Sequence, residues 1–313
     1  MKNNFEANKN NIISTGKEAR SMEVFAAAVK NRVESCLGDG YHVLIQDVSK
    51  NNGIVRTGIC IKGEGERVAP NIYLDGYFSE YQQGRTVESI CSDILRVYGQ
   101  ERQHMDFNVA SVMDFQHVKS RICFKLVNAE RNEGLLADMP HLFFHDLAVV
   151  FYILLEEDFK CGLPTIAIKK GIMDMWAVDI QTLYEVALWN TQRLLGSSVI
   201  SLSEVMEGMA GECGIDTSVP VPLYIATNKQ NLNGAAVLLY RGILERFADK
   251  AGDFYILPSS IHEVLFLPCN EGVEPEEIQD VVHIVNSSEI LPEEFLSDNI
   301  YRYNKAKGRV EII

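Results

Sequence analysis

Basic residues are missing from a long stretch of this chain. No Lys or Arg occurs from Ala251 through Tyr301, while eleven Asp and Glu residues do, and the whole chain carries a formal net charge of −14. Such a surface repels phosphate backbones, and no arginine-rich patch or basic and aromatic stripe offsets it, so the composition predicts no nucleic-acid partner. The imbalance serves solubility and leaves open an acidic docking face for a basic partner. Closely spaced cysteines are missing too. The seven cysteines, Cys36, Cys60, Cys91, Cys123, Cys161, Cys213 and Cys269, contain no Cys-x-x-Cys pair, which disfavours zinc ribbons and thioredoxin-like redox sites. Cysteines at apolar positions, such as Cys91 beside Ile90 and Ile94, fit a reducing compartment, and a cytoplasmic location is predicted. Long apolar runs are also lacking: the longest, Leu147 to Leu155, has nine residues, about half of the ~20 that a membrane-spanning helix needs. Residues 1–20 are rich in Asn, Lys and Glu and have no continuous apolar segment, so they predict a disordered N-terminal extension rather than a signal peptide.

What remains is an ordinary globular composition, 47% hydrophobic and 23% charged over 313 residues, enough for about two domains at ~150 residues each. Met22 to Leu37 places Phe25, Val29, Val33 and Leu37 at helical spacing before Gly38. Two β-rich runs, Tyr41 to Lys50 and Ile54 to Lys62, flank Asn51-Asn52-Gly53, which supplies the positive φ angles of a tight hairpin. A strand over Asn71 to Leu74, a Gly/Tyr-rich link and a helix from Val87 to Tyr98, with Thr86 as its cap, complete a first module. Further on, strands are predicted at 121–127, 146–156 and 164–169, the last two joined by a polar turn over 157–162, with a polar helix over 128–139 between the first and second. The unbroken apolarity of the 146–156 run implies a central strand buried on both faces. A helix over 179–195 follows, then a linker or hinge candidate over 196–222. After it come a strand over 221–227, one helix over 234–250, a hairpin over 253–268, a helix from Pro275 to Val285, and an exposed tail with edge strands near Tyr301 and Val310. The pattern predicts an α+β protein of two mixed α/β subdomains, 21–140 and 141–313, with largely antiparallel sheets flanked by helices.

Four polar constellations are candidates for function. His141 and His145 lie four apart, the spacing of imidazoles on one helix face, but Leu142 stands where a metalloprotease motif has its Glu and Pro140 precedes them. A structural turn is predicted there and no metal. Asn128 and Arg131 sit where a strand gives way to a helix, a place that can hold a ligand or cap the helix. Thr227-Asn228-Lys229 to Asn233-Gly234 makes a second strand-loop-helix junction, whose free N–H groups could capture an anion or nucleotide. The loop has neither the Gly-x-x-x-x-Gly-Lys nor the Gly-x-Gly-x-x-Gly spacing, and no cofactor is predicted. In Pro258-Ser259-Ser260-Ile261-His262-Glu263, an extended backbone points Ser260 and His262 to one face. That pairs a hydroxyl with an imidazole, while Glu263 falls on the opposite side of the pleat and no Gly-x-Ser-x-Gly elbow is present.

Lys50-Asn51-Asn52-Gly53, Ile72-Tyr73-Leu74, Asn128-x-Glu130-Arg131-Asn132, Asp146-Leu-Ala, Asn190-Thr191, Thr227-Asn228 to Asn233-Gly234-Ala-Ala and Leu257-Pro-Ser-Ser-Ile-His-Glu263 together resemble a bacterial domain-of-unknown-function family, number 5688. The likeness runs from about Met22 to Tyr303. It implies one intact cytosolic protein and supplies no reaction and no catalytic residues. The residues support a binding or regulatory protein without catalysis, with a protein or small-molecule partner and loops 227–234 and 258–263 as its recognition surface. Two alternatives stand beside it: a small hydrolase or transferase using Ser260 or Ser259 with His262, and anion or nucleotide binding at the 228–235 helix start.

Overall fold

A computed structural model of the chain describes residues 21–66, 69–102, 112–155, 165–210, 222–269 and 274–313. The predicted extension over 1–20, the turn over 157–162 and residues 211–221 of the expected linker lie outside the described residues. The chain divides into two units, residues 1–50 with 54–109, and residues 51–53 with 110–313.

In the first unit, α1 (Met22–Leu37) begins at Ser21, whose hydroxyl accepts from the Val24 N–H at 3.3 Å, and ends at Gly38 with φ 77°. Its buried stripe of Phe25, Ala26, Val29 and Val33 faces a core shared with Val43, Ile59, Ile61, Ile72 and Ile90. Strands β1 (Tyr41–Ser49), β2 (Val55–Gly63) and β3 (Asn71–Tyr73) form an antiparallel sheet in that order. The β1–β2 turn is the one expected, with Asn52 at φ 60° and Gly53 at φ 70°. A helix, α2 (Asp75–Gln82), occupies the expected Gly/Tyr-rich link. It has no side-chain cap and no fully buried residue, so its sequence carries neither signal, and Phe78 and Tyr81 hold it by their rings against Phe25. The following helix, α3 (Val87–Arg102), starts as predicted, with Thr86 Oγ1 accepting from the Ser89 N–H at 3.3 Å. Burial pushes the Cys91 thiol up to about 11, which leaves it an inert apolar group.

The second unit opens with α4 (Phe115–Val118), β4 (Ile122–Asn128), α5 (Glu133–Leu136), β5 (His141–Phe144), β6 (Leu147–Leu154) and β7 (Thr165–Ala167). The polar helix expected over 128–139 shrinks to the single turn of α5. Strand β6 pairs with β4 along one edge and with β5 and then β7 along the other, all antiparallel, and every one of its residues is buried. The boundary read at 140/141 would part β4 from β6, its pairing partner; the units divide instead near 109/110. Helices α6 (Lys170–Trp176) and α7 (Ile180–Leu195) follow, and the Asp179 carboxylate caps α7 by accepting from the Thr182 N–H at 2.7 Å. Helix α7 is fastened to β4 where Thr191 Oγ1 accepts from the Phe124 N–H at 3.0 Å.

Next come β8 (Ser198–Ser201), α8 (Leu202–Ala210), β9 (Tyr224–Thr227), a 3-10 turn (Gly234–Leu239), α9 (Ile243–Ala251), β10 (Phe254–Leu257), β11 (Val264–Pro268), α10 (Pro275–Ser288), β12 (Tyr301–Asn304) and β13 (Arg309–Ile312). Among the described residues these strands form a six-stranded antiparallel sheet in the order β13-β12-β10-β11-β9-β8. The single helix expected over 234–250 is two pieces. Gly234 to Leu238 are buried on every side, which removes the amphipathic stripe, and Gly242 at φ 76° restarts the chain as α9. The expected exposed tail is different as well: β12 is an interior strand and Tyr301 is fully buried.

Between α10 and β12, residues 291–299 form a strap without a strand of its own, yet most of its backbone is hydrogen-bonded. Ser297 and Leu296 donate their N–H groups to the Pro258 and Ser259 carbonyls at 2.9 Å each, and Glu294 O accepts from the Ile261 N–H at 2.8 Å. Asparagine amides take further carbonyls: Asn51 Nδ2 donates to Glu293 O at 2.8 Å, and Asn52 Nδ2 to Pro292 O at 2.8 Å and Phe295 O at 2.7 Å. Asn128 Nδ2 donates to Leu296 O at 2.9 Å and Asn286 Nδ2 to Ser297 O at 3.0 Å. At the end of the strap the Asp146 carboxylate accepts from Ser297 Oγ at 2.6 Å and from the Tyr301 hydroxyl at 2.5 Å. Burial and the neighbouring carboxylate both raise the Tyr301 phenol, which keeps its proton for this bond. Removing that donor leaves a partly buried carboxylate short of one partner. Tyr301→Phe is therefore expected to lower unfolding free energy by about 1.5–3 kcal/mol, as hydrogen bonds to charged groups do, measured by urea denaturation at neutral pH.

Candidate functional site

Pairing of β9 with β11, Val264 opposite Ala226, brings the loops 227–234 and 258–263 to one end of the large sheet. They meet directly. Thr227 Oγ1 donates to His262 O at 2.8 Å, the Asn233 N–H to His262 Nδ1 at 3.3 Å, and the Ala235 N–H to Ile261 O at 3.1 Å. A Cβ on Gly234 would collide with Thr227 Oγ1 and His262 O and come within 2.9 Å of Asn228 N. The two loops thus leave no room for a ligand between them.

Of the candidate binding residues of the first loop, Asn228 and Gly234 are buried and Lys229 is exposed. Asn228 is fully buried; its Nδ2 donates to Leu232 O at 2.7 Å and its Oδ1 accepts from the Gln230 N–H at 2.9 Å. The Lys229 N–H donates to Leu195 O at 3.0 Å, and its aliphatic stem lies over Gly196. Asn233 adopts the left-handed conformation at φ 54°. With the Asn233, Ala235 and Ala236 N–H groups bonded to protein acceptors, the start of the 3-10 turn offers little to an anion.

In the second loop, Ser260 Oγ is buried and accepts from the His262 N–H at 3.0 Å, and its hydroxyl also serves the Glu263 carboxyl. Ser259 gives its carbonyl to Leu296. Both nitrogens of the His262 ring are engaged elsewhere: Nδ1 accepts from Asn233 and Nε2 lies 3.5 Å from Glu294 Oε1. Accepting at Nδ1 selects the tautomer that carries its proton on Nε2. Among the described residues no hydrogen bond joins either serine hydroxyl to the imidazole, so the expected Ser260 and His262 pair is adjacent without the link that nucleophile activation needs. Glu263 is held above the usual carboxylate range, first by burial and further by the Glu294 charge, against the opposing pull of His262 and Ser260.

Asn128 and Arg131 fasten the strap. Besides its bond to Leu296 O, Asn128 accepts at Oδ1 from the Arg131 N–H at 2.8 Å and at its carbonyl from Asn132 Nδ2 at 2.8 Å. The Arg131 guanidinium covers the Phe295 ring at 3.5 Å from its centroid. His141 opens β5 and His145 follows it, so neither lies on a helix: His141 Nδ1 is 2.9 Å from Met139 O, and His145 turns the chain at φ 55°. Among the described residues no group of three His, Cys, Asp or Glu side chains is placed to hold a metal.

A different face is open. Glu185, Val186, Trp189 and Asn190 of α7, with Gln116, Lys119 and Ser120 in and just after α4, line a depression of about 440 Å³. Trp189 is 69% exposed. Hydrogen bonds tie the wall together: Asn190 Nδ2 donates to Lys119 O at 2.7 Å and to Ile122 O at 3.0 Å, and Arg193 donates to Ser120 O at 3.0 Å. The depression offers a flat indole with an ammonium, a carboxylate and an amide around it. The sequence reading overlooked Trp189. The available signal was a Trp on the polar side of the helix, opposite the stripe of Leu183, Ala187, Asn190 and Leu195.

These features define an α+β protein whose polar loops are locked into its frame and whose open surface is an aromatic depression. The chain matches the model of the Family of unknown function (DUF5688) over residues 22–305 and belongs to that family. No curated protein and no solved structure matches it.

Two substitutions test the loop junction. Gly234→Ala forces a methyl group into the Thr227 and His262 contacts, and a loss of at least the about 1–3 kcal/mol typical of overpacking is expected in chemical denaturation. For Glu263 the folded-state pKa is raised, so the folded protein binds the proton more tightly than the unfolded chain. The resulting penalty is absent below the ordinary carboxylate pKa of 4.5 and grows as pH rises through the raised value. Glu263→Gln is accordingly expected to melt above the parent at neutral pH, with the gap closing as pH falls toward 4.5, followed by thermal melts across that window.

Proposed function

We propose that this chain is a cytosolic binding or regulatory protein that holds a small polar ligand with one flat apolar face, without transforming it. The observation that carries the reading is the exposed indole of Trp189 beside a preformed depression. Concave sites with an aromatic wall and a few convergent polar groups are the usual form of small-molecule sites. Stacking on Trp189 would supply affinity, while Lys119, Glu185 and Gln116 would fix orientation through charge and hydrogen bonds. The recognition surface then lies on α7 rather than on loops 227–234 and 258–263, whose polar groups bond to each other and to the strap. A non-catalytic role agrees with the engagement of both His262 ring nitrogens by Asn233 and Glu294. A cytosolic location agrees with the free thiols of Cys36, Cys60, Cys91, Cys123 and Cys269. Among the described residues no helix is long and apolar enough to cross a membrane.

The chain has only two tryptophans, and Trp176 is buried, with its Nε1 donating to Val112 O at 2.8 Å, so changes in exposed emission report on Trp189. Titration with a panel of pyranose sugars and purine nucleosides is expected to give a saturable shift for at least one member. Trp189→Ala should weaken that binding by about tenfold, or 1.4 kcal/mol, measured calorimetrically. A panel without saturable change, or equal binding by Trp189→Ala, would overturn the reading.

A further inference from the structure

Helix α10 has two apolar faces where a helix lying on a sheet needs one. Ile278 and Val282 pack into a core with Tyr255, Leu257, Leu267 and Ile300, and Asn286 extends the same side toward the strap. Val281 and Ile284 lie away from that core, 59% and 65% exposed, Val285 borders it one heptad after Ile278 at 38%, and Leu291 just beyond the helix is 53% exposed. A surface helix ordinarily carries polar residues there, and β-branched residues lower helix propensity, so neither solubility nor helix formation accounts for them. The stripe is rimmed by Glu276, Glu277, Asp280 and Glu289, all exposed, and no Lys or Arg occurs from residue 251 through 301. The imidazole of this helix, His283, lies on the other flank of the buried stripe, 3.5 Å from the Asp298 carboxylate.

We infer that the outer face of α10 docks a basic amphipathic helix of a partner protein. The partner's apolar stripe covers Val281, Ile284, Val285 and Leu291, and its Lys or Arg residues face the acidic rim. Charge selects this occupant. A second copy of this chain would bring two acidic rims together, and anionic lipid headgroups would be repelled by the same carboxylates. Helix-in-groove or helix-on-helix recognition uses anchors at just such i, i+3 and i+4 spacing. This surface is independent of the Trp189 depression.

The probe is a fluorescein-labelled peptide of Leu and Lys at heptad spacing, with a scrambled peptide of identical composition as control, titrated against the full chain by fluorescence anisotropy. Saturable binding of the heptad peptide over the scrambled one is expected, weakening as salt rises. Ile284→Glu adds a negative charge, so a contact driven by charge alone would tighten, whereas docking on the stripe should weaken by about tenfold or more. Ile284→Ser, which leaves the charge unchanged, should weaken it as well, with circular dichroism confirming that both variants remain folded. Asp280→Lys with Glu277→Lys should reduce affinity and flatten its salt dependence. Equal binding of the scrambled peptide would overturn the proposal, as would unchanged affinity in both Ile284 variants. So would a concentration-dependent dimer of the parent chain that Ile284→Glu dissolves, or stable association of the chain with zwitterionic or anionic vesicles.

Discussion

Asparagine amides bonded to the carbonyls of residues 291–299 are the interaction on which the second unit rests. Where the segment is buried, at Phe295 to Ser297, and has no strand or helix of its own, its carbonyl groups must find donors, because each one left unsatisfied costs about 1–3 kcal/mol. Asn52 meets this need most fully: both hydrogens of Nδ2 serve the strap, while its Oδ1 accepts from Asn132 Nδ2 and its backbone N–H donates to Asn132 Oδ1. The left-handed conformation at Asn52, which asparagine tolerates better than most residues, places the amide for these bonds. Once fixed, the strap positions Glu294 against His262, Phe295 beneath Arg131 and Ser297 against Asp146.

The same logic governs the loop junction. Residue types that serve catalysis elsewhere, a serine, a histidine and a glutamate in a row, here satisfy backbone groups at the end of a sheet. Gly234 shows how tight the closure is, since no larger residue fits between Thr227 and the His262 carbonyl. Chemistry needs groups with free valence aimed into a space, and this corner has the groups without the space. The open surfaces lie where side chains break their local pattern: Trp189 on the polar side of α7, and Val281 and Ile284 on the outer side of α10.

Much of the frame was legible in the sequence because it follows period and punctuation. Helix α1 has its stripe and Gly38, the first hairpin has Asn51-Asn52-Gly53, and β6 has an unbroken apolar run that only a doubly covered strand requires. The α+β class and the antiparallel pairing followed from these. Where burial surrounds the backbone, period disappears: Gly234 to Leu238 are enclosed on every side, so the break before α9 leaves no trace in the pattern. The strap was illegible for a different reason. Its acidic, Pro-containing sequence looks exposed, and what holds it is its own carbonyl groups, which every residue type carries alike. The residues that answer them, Asn51, Asn52 and Asn128, were visible as a family-like set, yet their common target was not. The candidate site fared likewise: the sequence marked loops 227–234 and 258–263 as polar, but neither that the pairing of β9 with β11 would bring them together nor that they would fill the corner.

The asparagine contacts also carry a temporal consequence. Asn51 and Asn52 bond to residues 242 and 240 to 243 positions further along the chain. A ribosome adding about 5–20 residues per second needs tens of seconds at the slower rate to cover that distance. Throughout that interval Asn52, Asn128 and Asp146 have no strap to bind, and β4 and β6 can pair long before the large sheet closes over them. Assembly of the second unit therefore waits on residues 291–299, and the nascent chain must keep its apolar strands apart from those of its neighbours until they have emerged.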